Sequence, residues 1–427
     1  MKMNYKLILL LAFSILLFTG CSSKDTASSG SDTVEIEYWQ YSFDSKVHLM
    51  DDLIKQFEEE NPGIKIKQTT FPYEQYNQKI AALVPAGKGP DVINLYYGWL
   101  PKYVKSGFLQ PLPKDDFPQE QIESEYFPFI QTSKLDGEYY SLPTAVRTLA
   151  LFYNKDLFKK AGLDPEHPPT TWDELIDIGK KLTVRDKNGK LITEGLAWQP
   201  EAQLHTWFRD GLLYQAGGKD QSDDYKKILW DDNNAGLEAF KYLVELSTVH
   251  KIGEKDFYTD DSTAFKTGKA AMNIDGSFRL GDLKKGAPDL NYGVAPLPSY
   301  KEKATPATYW ANGITANVDG KKLEASVKFL QFLASDKVME KWSDEIGELP
   351  AKKEVALQDK YVNDPIIGSF VNQLPDGKSH FFIDENVERQ YILDAINKVL
   401  LKQTSVEGAF AELEEKTQSL FDEYWNQ

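Results

Sequence analysis

The sequence predicts an α/β protein that divides into two lobes. Three observations carry this expectation. From residue 34 to residue 95 the apolar patterning switches between periods of two and of about 3.6. That β-α-β-α-β rhythm argues for a largely parallel sheet with helices on its faces. Removing an N-terminal export leader, residues 1–20, leaves 407 residues. That is more than the ~250–300 at which a single core stops growing. Hydrophobic residues make up 41% of the chain, as in an ordinary folded globule, with no internal repeat and no low-complexity tract after Asp32.

The leader is legible from its own chemistry. Lys2 and Lys6 precede an apolar run from residue 7 to 18, broken only by Ser14, and Thr19-Gly20-Cys21 follows. This is the pattern of a secretory signal. The run is shorter than the ~20 apolar residues of a spanning helix. Residues 16–21, LLFTGC, resemble a bacterial lipobox. The resemblance implies cleavage before Cys21 and a lipid anchor on its thiol, so that the mature protein sits on the outer face of the cell membrane. Cys21 is also the only cysteine, which leaves no disulfide and no thiolate metal site within one chain. Residues 22–32 are small and polar, the composition of a flexible tether. Net charge is −16, and −18 without Lys2 and Lys6, so nucleic acid and anionic lipid would repel the body.

The elements then follow in order. Residues 34–39 alternate as a strand. A helix comes next, capped by Asp44 or Ser45, with Val47, Met50, Leu53, Ile54 and Phe57 on its inner face. Asn61-Pro62-Gly63 stops it. Residues 64–71 form a second strand, 73–84 a helix, 85–90 a break and 91–95 a short buried strand. Asp136-Gly137 signals a hairpin. Thr171 and Glu174 have capping-box spacing. Further helices are expected over residues 155–161, 234–248, 323–346 (in two pieces), 387–401 and 406–424.

Several segments, in their order and spacing, resemble the sugar-binding group of bacterial ABC-importer solute-binding proteins, the group that includes maltose-binding protein. They are FEEENPGIKI at 57–66, GPDVI at 89–93, YVKSGFLQPL at 103–112, YSLP at 140–143, LFYNKDLF at 151–158, FKTGKAAM at 265–272, DGSF at 275–278 and YGVAPLP at 292–298. The resemblance implies the two-lobed periplasmic-binding-protein fold, with three crossings near residues 143–148, 310–315 and 349–353. Lobe 1 would comprise residues 33–144 and 313–349, and lobe 2 residues 148–309 and 352–427. It also implies a monomer that closes a cleft on ligand and docks on a membrane permease, with no cofactor.

A sugar presents flat apolar faces and a rim of hydroxyls, which aromatic rings and charged side chains recognise. By position in the family, the ligand residues are Trp39 and Tyr41 after the first strand, and Tyr96, Tyr97 and Trp99 after the third. Glu201 and Trp207 lie in a loop over 198–207. Phe278 stands where maltose-binding members stack a tryptophan on ligand, and Trp310 and Asn312 lie at a crossing. A core role for Trp39 stands open beside the ligand role, and at least one of Tyr96, Tyr97 and Trp99 is expected to pack inward. Only five arginines occur, and Arg147, Arg209, Arg279 and Arg389 fall at or beside these segments. Arg147 stands where maltose-binding members have an acid. The expected ligand is an oligosaccharide; one hypothesis gives it a negative charge, as in a uronic-acid oligosaccharide, with ion pairing as the alternative use of the other arginines.

No nucleophile elbow, P-loop, zinc-protease or dinucleotide fingerprint occurs. The five histidines make no i,i+4 pair. Residues 231–236, DDNNAG, lack the ligands of a calcium loop and read as a helix cap. Binding is expected rather than catalysis. The rivals are a secreted glycosidase, which needs only two carboxylates, and a binder of a polyamine or peptide.

Overall fold

The computed structural model describes residues 33–426; the leader, Cys21 and the tether lie outside them. The parallel start of the sheet is present. Strand Val34–Tyr41 lies between Ile64–Phe71 and Val92–Tyr96, parallel to both. Parallel neighbours require crossover connections, and helices Asp44–Glu60 and Tyr73–Leu83 lie in those connections. The first of these buries Leu49, Met50, Leu53, Ile54 and Phe57 together with Lys46; the expected Val47 is only half-buried. Phe43 occupies its N-cap without a side-chain bond, so neither Asp44 nor Ser45 caps it.

The remainder of the main sheet is mixed, not largely parallel. Strand Thr305–Ile314 runs antiparallel to Val92–Tyr96 on one side and to Leu142–Asn154 on the other. The 13-residue strand Leu142–Asn154 changes partners along its length. Its first part pairs with residues 307–312 and, at Ala145 and Val146, with Leu349–Pro350. From Leu149 onward it pairs with Ala270–Gly276 and Tyr292–Pro296. Ala270–Gly276 continues to Leu191–Leu196 and then Val184–Arg185. One strand thus serves both α/β lobes. Every residue of it but Arg147 is buried, so it shows none of the alternation by which half-buried strands announce themselves.

Local details refine the expected turns. Asp136 and Gly137, at φ 50° and 81°, make the hairpin between Lys134–Leu135 and Glu138–Tyr139. The Thr171 hydroxyl accepts from the Glu174 N–H, while the Glu174 carboxylate accepts from the Thr170 N–H, one residue earlier than a capping box requires. At 231–236 the expected cap takes the form of a 3₁₀ turn, Asp232–Asn234, in which Asn233 Oδ1 accepts from the Ala235 N–H that opens the helix. Asn233 and Asn234 are both left-handed there, and Asn234 forms no side-chain cap.

Candidate ligand site

Register decides which side chains meet at the crossing. Arg147 lies opposite Thr308, and Ala145 opposite Trp310. Side chains alternate along a strand, so Arg147 and Trp310 project from one face and Tyr309 from the other. Four rings gather on Trp310: Tyr41 at 4.3 Å between centroids, Trp99 at 5.2 Å, Tyr96 at 6.0 Å and Tyr73 at 6.2 Å. Tyr41 and Tyr96 end their strands, Trp99 belongs to the turn after the third strand, and Tyr73 opens a helix. They therefore mark the carboxyl edge of the parallel strands, where open α/β sheets place their ligands. The turn requires Gly98: a Cβ there would come within 2.7 Å of the Tyr96 ring and 2.8 Å of Phe382.

Trp207 reaches this group from helix Gln203–Gln215. Its Nε1–H donates to the Tyr96 hydroxyl at 3.0 Å, and the two rings stack at 6.4 Å. Residues 198–207 were expected to be a loop. The helix escapes notice because its described residues are buried on every side, which leaves no amphipathic stripe.

Beside the rings lies a buried charged triad. Glu348 Oε1 accepts from Lys46 Nζ at 2.7 Å and from Arg147, and Oε2 accepts from Trp342 Nε1 at 2.8 Å. Burial would push the Glu348 carboxyl up, but the Arg147 and Lys46 charges outweigh it and bring it to about 2. The Arg147 guanidinium also donates to the Tyr41 hydroxyl at 3.4 Å, and Phe278 lies 5.0 Å from it. A second pair, Arg389 and Glu385 at 3.6 Å, completes this side. Burial raises the Tyr73 phenol, and Glu385 reinforces the shift while Arg389 and Arg147 oppose it, so these groups share one neighbourhood.

Of the expected ligand residues, the structure brings together Tyr41, Tyr96, Trp99, Arg147, Trp207, Phe278 and Trp310, with Arg389 at their edge. Four others stand apart. Trp39 packs on Phe71 at 4.9 Å. Tyr97 borders the group, 4.9 Å from Tyr96 and 5.9 Å from Phe382, but stacks at 4.7 Å on Tyr309, on the opposite face of the crossing. Asn312 uses its amide on Tyr38, Asn94 and Thr144, which ties the strands together. Glu201 pairs with Lys255 ahead of its helix. Arginine scarcity also means less than expected, because all five arginines pair with carboxylates. Sequence reasoning missed Lys46, Tyr73, Glu348, Phe382 and Glu385. Lys46 alone carried a signal, being a lysine four residues before Met50 on an apolar helix face.

Two α/β lobes sharing a strand crossing, with aromatic rings and paired charges gathered between them, define a solute-binding protein. The family comparison agrees: residues 44–340, more than half of the chain, match the model for bacterial extracellular solute-binding proteins. The chain belongs to that family, whose members bind rather than catalyse. A binding protein of Brucella abortus strain 2308 is 31% identical over 381 residues, covering 85% of this chain and 87% of the relative. The maltotriose-binding protein of Pyrococcus abyssi is 26% identical over 354 residues, covering 81% and 72%. The sn-glycerol-3-phosphate-binding periplasmic protein of Shigella dysenteriae is 31% identical over 337 residues, covering 74% of each. Among solved structures, an ABC transporter solute-binding protein of Thermotoga lettingae bound with α-D-tagatose has a TM-score of 0.77 at 27% identity, covering 91% of this chain and all of that one. The cyclic α-maltosyl-1,6-maltose-binding protein of Arthrobacter globiformis shares the fold, with a TM-score of 0.80 at 23% identity over 91% and 99%.

Proposed function

We propose that this chain captures a carbohydrate between its lobes and delivers it to the permease of an ABC importer. The observation that carries the reading is the wall of rings formed by Tyr41, Tyr73, Tyr96, Trp99 and Trp310 beside Arg147. Rings cover the apolar faces of a sugar, and charged side chains bond its hydroxyl rim. Relatives named for maltotriose and structures bound with sugars support the same class. Lobe 1 would be residues 33–144 with 313–349, lobe 2 residues 148–309 with 352–427, hinged where the long strand changes partners. The protein would act as a monomer without cofactor, held on the outer face of the membrane by lipid on Cys21. No described helix is long and apolar enough to cross a membrane.

A thermal-shift screen against neutral, uronate and phosphorylated sugars tests the reading, followed by chromatography of the bound sugar. At least one member should raise the melting temperature and be recovered intact. Recovery of shorter sugars would instead mark a glycosidase, and a shift only with peptides or polyamines would replace the ligand class.

A further inference from the structure

The triad at the crossing has an uneven charge. Lys46 and Arg147 bring two cations to the single carboxylate of Glu348. Among the described residues, only rings stand against the second cation: Tyr41, Phe43 and Trp342 lie 5.4, 5.7 and 5.8 Å from Lys46 Nζ, and Phe278 5.0 Å from Arg147. One cation neutralises one carboxylate, and a second charge buried beside the pair costs free energy unless something offsets it. The burial is real, with side-chain exposures of 5% for Lys46, 4% for Glu348 and 12% for Arg147. The other described ion pairs on this side balance. Glu385 faces Arg389, and Asp275 and Asp282 face Arg279 and Lys266.

Geometry shows where the surplus is presented. Glu348 is saturated by Lys46, Arg147 and the Trp342 N–H. Arg147 spends Nε and Nη2 on Glu348 and Tyr41, and no described residue accepts from Nη1. Phe278 lies 5.0 Å from the guanidinium carbon, a cation–π distance that does not consume an N–H donor. Arg147 projects from the same strand face as Trp310 and its rings.

We infer that the ligand is an anionic carbohydrate, carrying a carboxylate or a phosphate ester that docks on the Nη1 edge of Arg147 while its sugar lies on the rings. Lys46 is the positioning residue: by neutralising Glu348 it leaves the charge of Arg147 to the ligand. The inference rests on the carbohydrate reading above and sharpens it.

Isothermal titration of the mature protein with neutral gluco- and galacto-oligosaccharides, their uronate counterparts and the corresponding sugar phosphates tests it. The tightest binder should be anionic, by about tenfold or more over its neutral counterpart, as a charge-assisted hydrogen bond implies. The uronate and phosphate arms identify which anion it is. Lys46→Met leaves a neutral Arg147–Glu348 pair and should bring the anionic-to-neutral ratio close to one, while Lys46→Arg restores it. Arg147→Gln, which keeps the Lys46–Glu348 pair, is a second route to the same loss. A neutral sugar as tightest binder, or an unchanged ratio in Lys46→Met, overturns the inference and leaves the carbohydrate reading standing. A panel in which no sugar of either kind binds overturns both.

Discussion

Glu348 shows how one side chain organises the centre of this molecule. It is a carboxylate from just before the short strand Leu349–Pro350, gripped by Lys46 of the first helix, Arg147 of the long strand and Trp342 of a later helix. Three segments far apart in sequence therefore meet on two oxygens. Glu348→Gln removes the only carboxylate and leaves two buried cations facing each other. Breaking a buried pair in this way costs about 3–5 kcal/mol. Urea unfolding at neutral pH should show that loss, and a midpoint equal to that of the native protein would refute the role. The pH dependence has a definite sign. Glu348 titrates at about 2 in the folded chain against an ordinary 4.5. Its contribution is therefore complete above pH ~4.5 and fades as pH falls toward 2. In Glu348→Gln that part of the acid slope should vanish.

Among the elements, legibility followed the strength of periodic signals. The parallel trio, its two crossover helices and the Asp136-Gly137 hairpin lie where patterning put them. The long strand and helix Gln203–Gln215 were read poorly because both are buried almost throughout. A local window cannot show which lobe a fully apolar run serves. The site followed the same rule. Rings at strand ends, such as Tyr41 and Tyr96, could be placed from sequence, whereas Lys46 and Glu348 meet across 302 positions. Trp39 and Tyr97, for which an inward-packing role stood open, take it: Trp39 lies against Phe71, and Tyr97 opens the 3₁₀ turn with its ring on Tyr309. Trp207 supplies the prediction at this scale. Trp207→Phe keeps a ring against Tyr96 but removes the Nε1–H donor that joins helix to strand end. One net hydrogen bond is worth about 0.5–1.5 kcal/mol, so sugar affinity should fall roughly two- to tenfold. Titration with the best sugar of the screen measures it, and unchanged affinity would mean that this contact does not stabilise the ligand-bound arrangement.

At the scale of the whole molecule, the problem is how a strongly acidic binding protein stays near its permease. Without residues 1–20 the chain would carry −18, a charge that anionic lipid would repel. No described helix is long and apolar enough to cross a membrane. A diacyl anchor on Cys21 would supply what the body lacks, since two acyl chains hold stably where one does not, at ~0.8 kcal/mol per buried CH₂. The 11 residues from Ser22 to Asp32 would then set how far the body reaches from the membrane. A tether that short would set a local concentration in the millimolar range without any new protein contact. Cys21→Ser tests the arrangement. The variant should bind sugar with native affinity, leave the membrane fraction for the medium, and lose uptake at low external sugar. Retention in the membrane fraction would mean that the apolar leader itself persists as the anchor, and the tether would then begin from a spanning segment rather than from lipid.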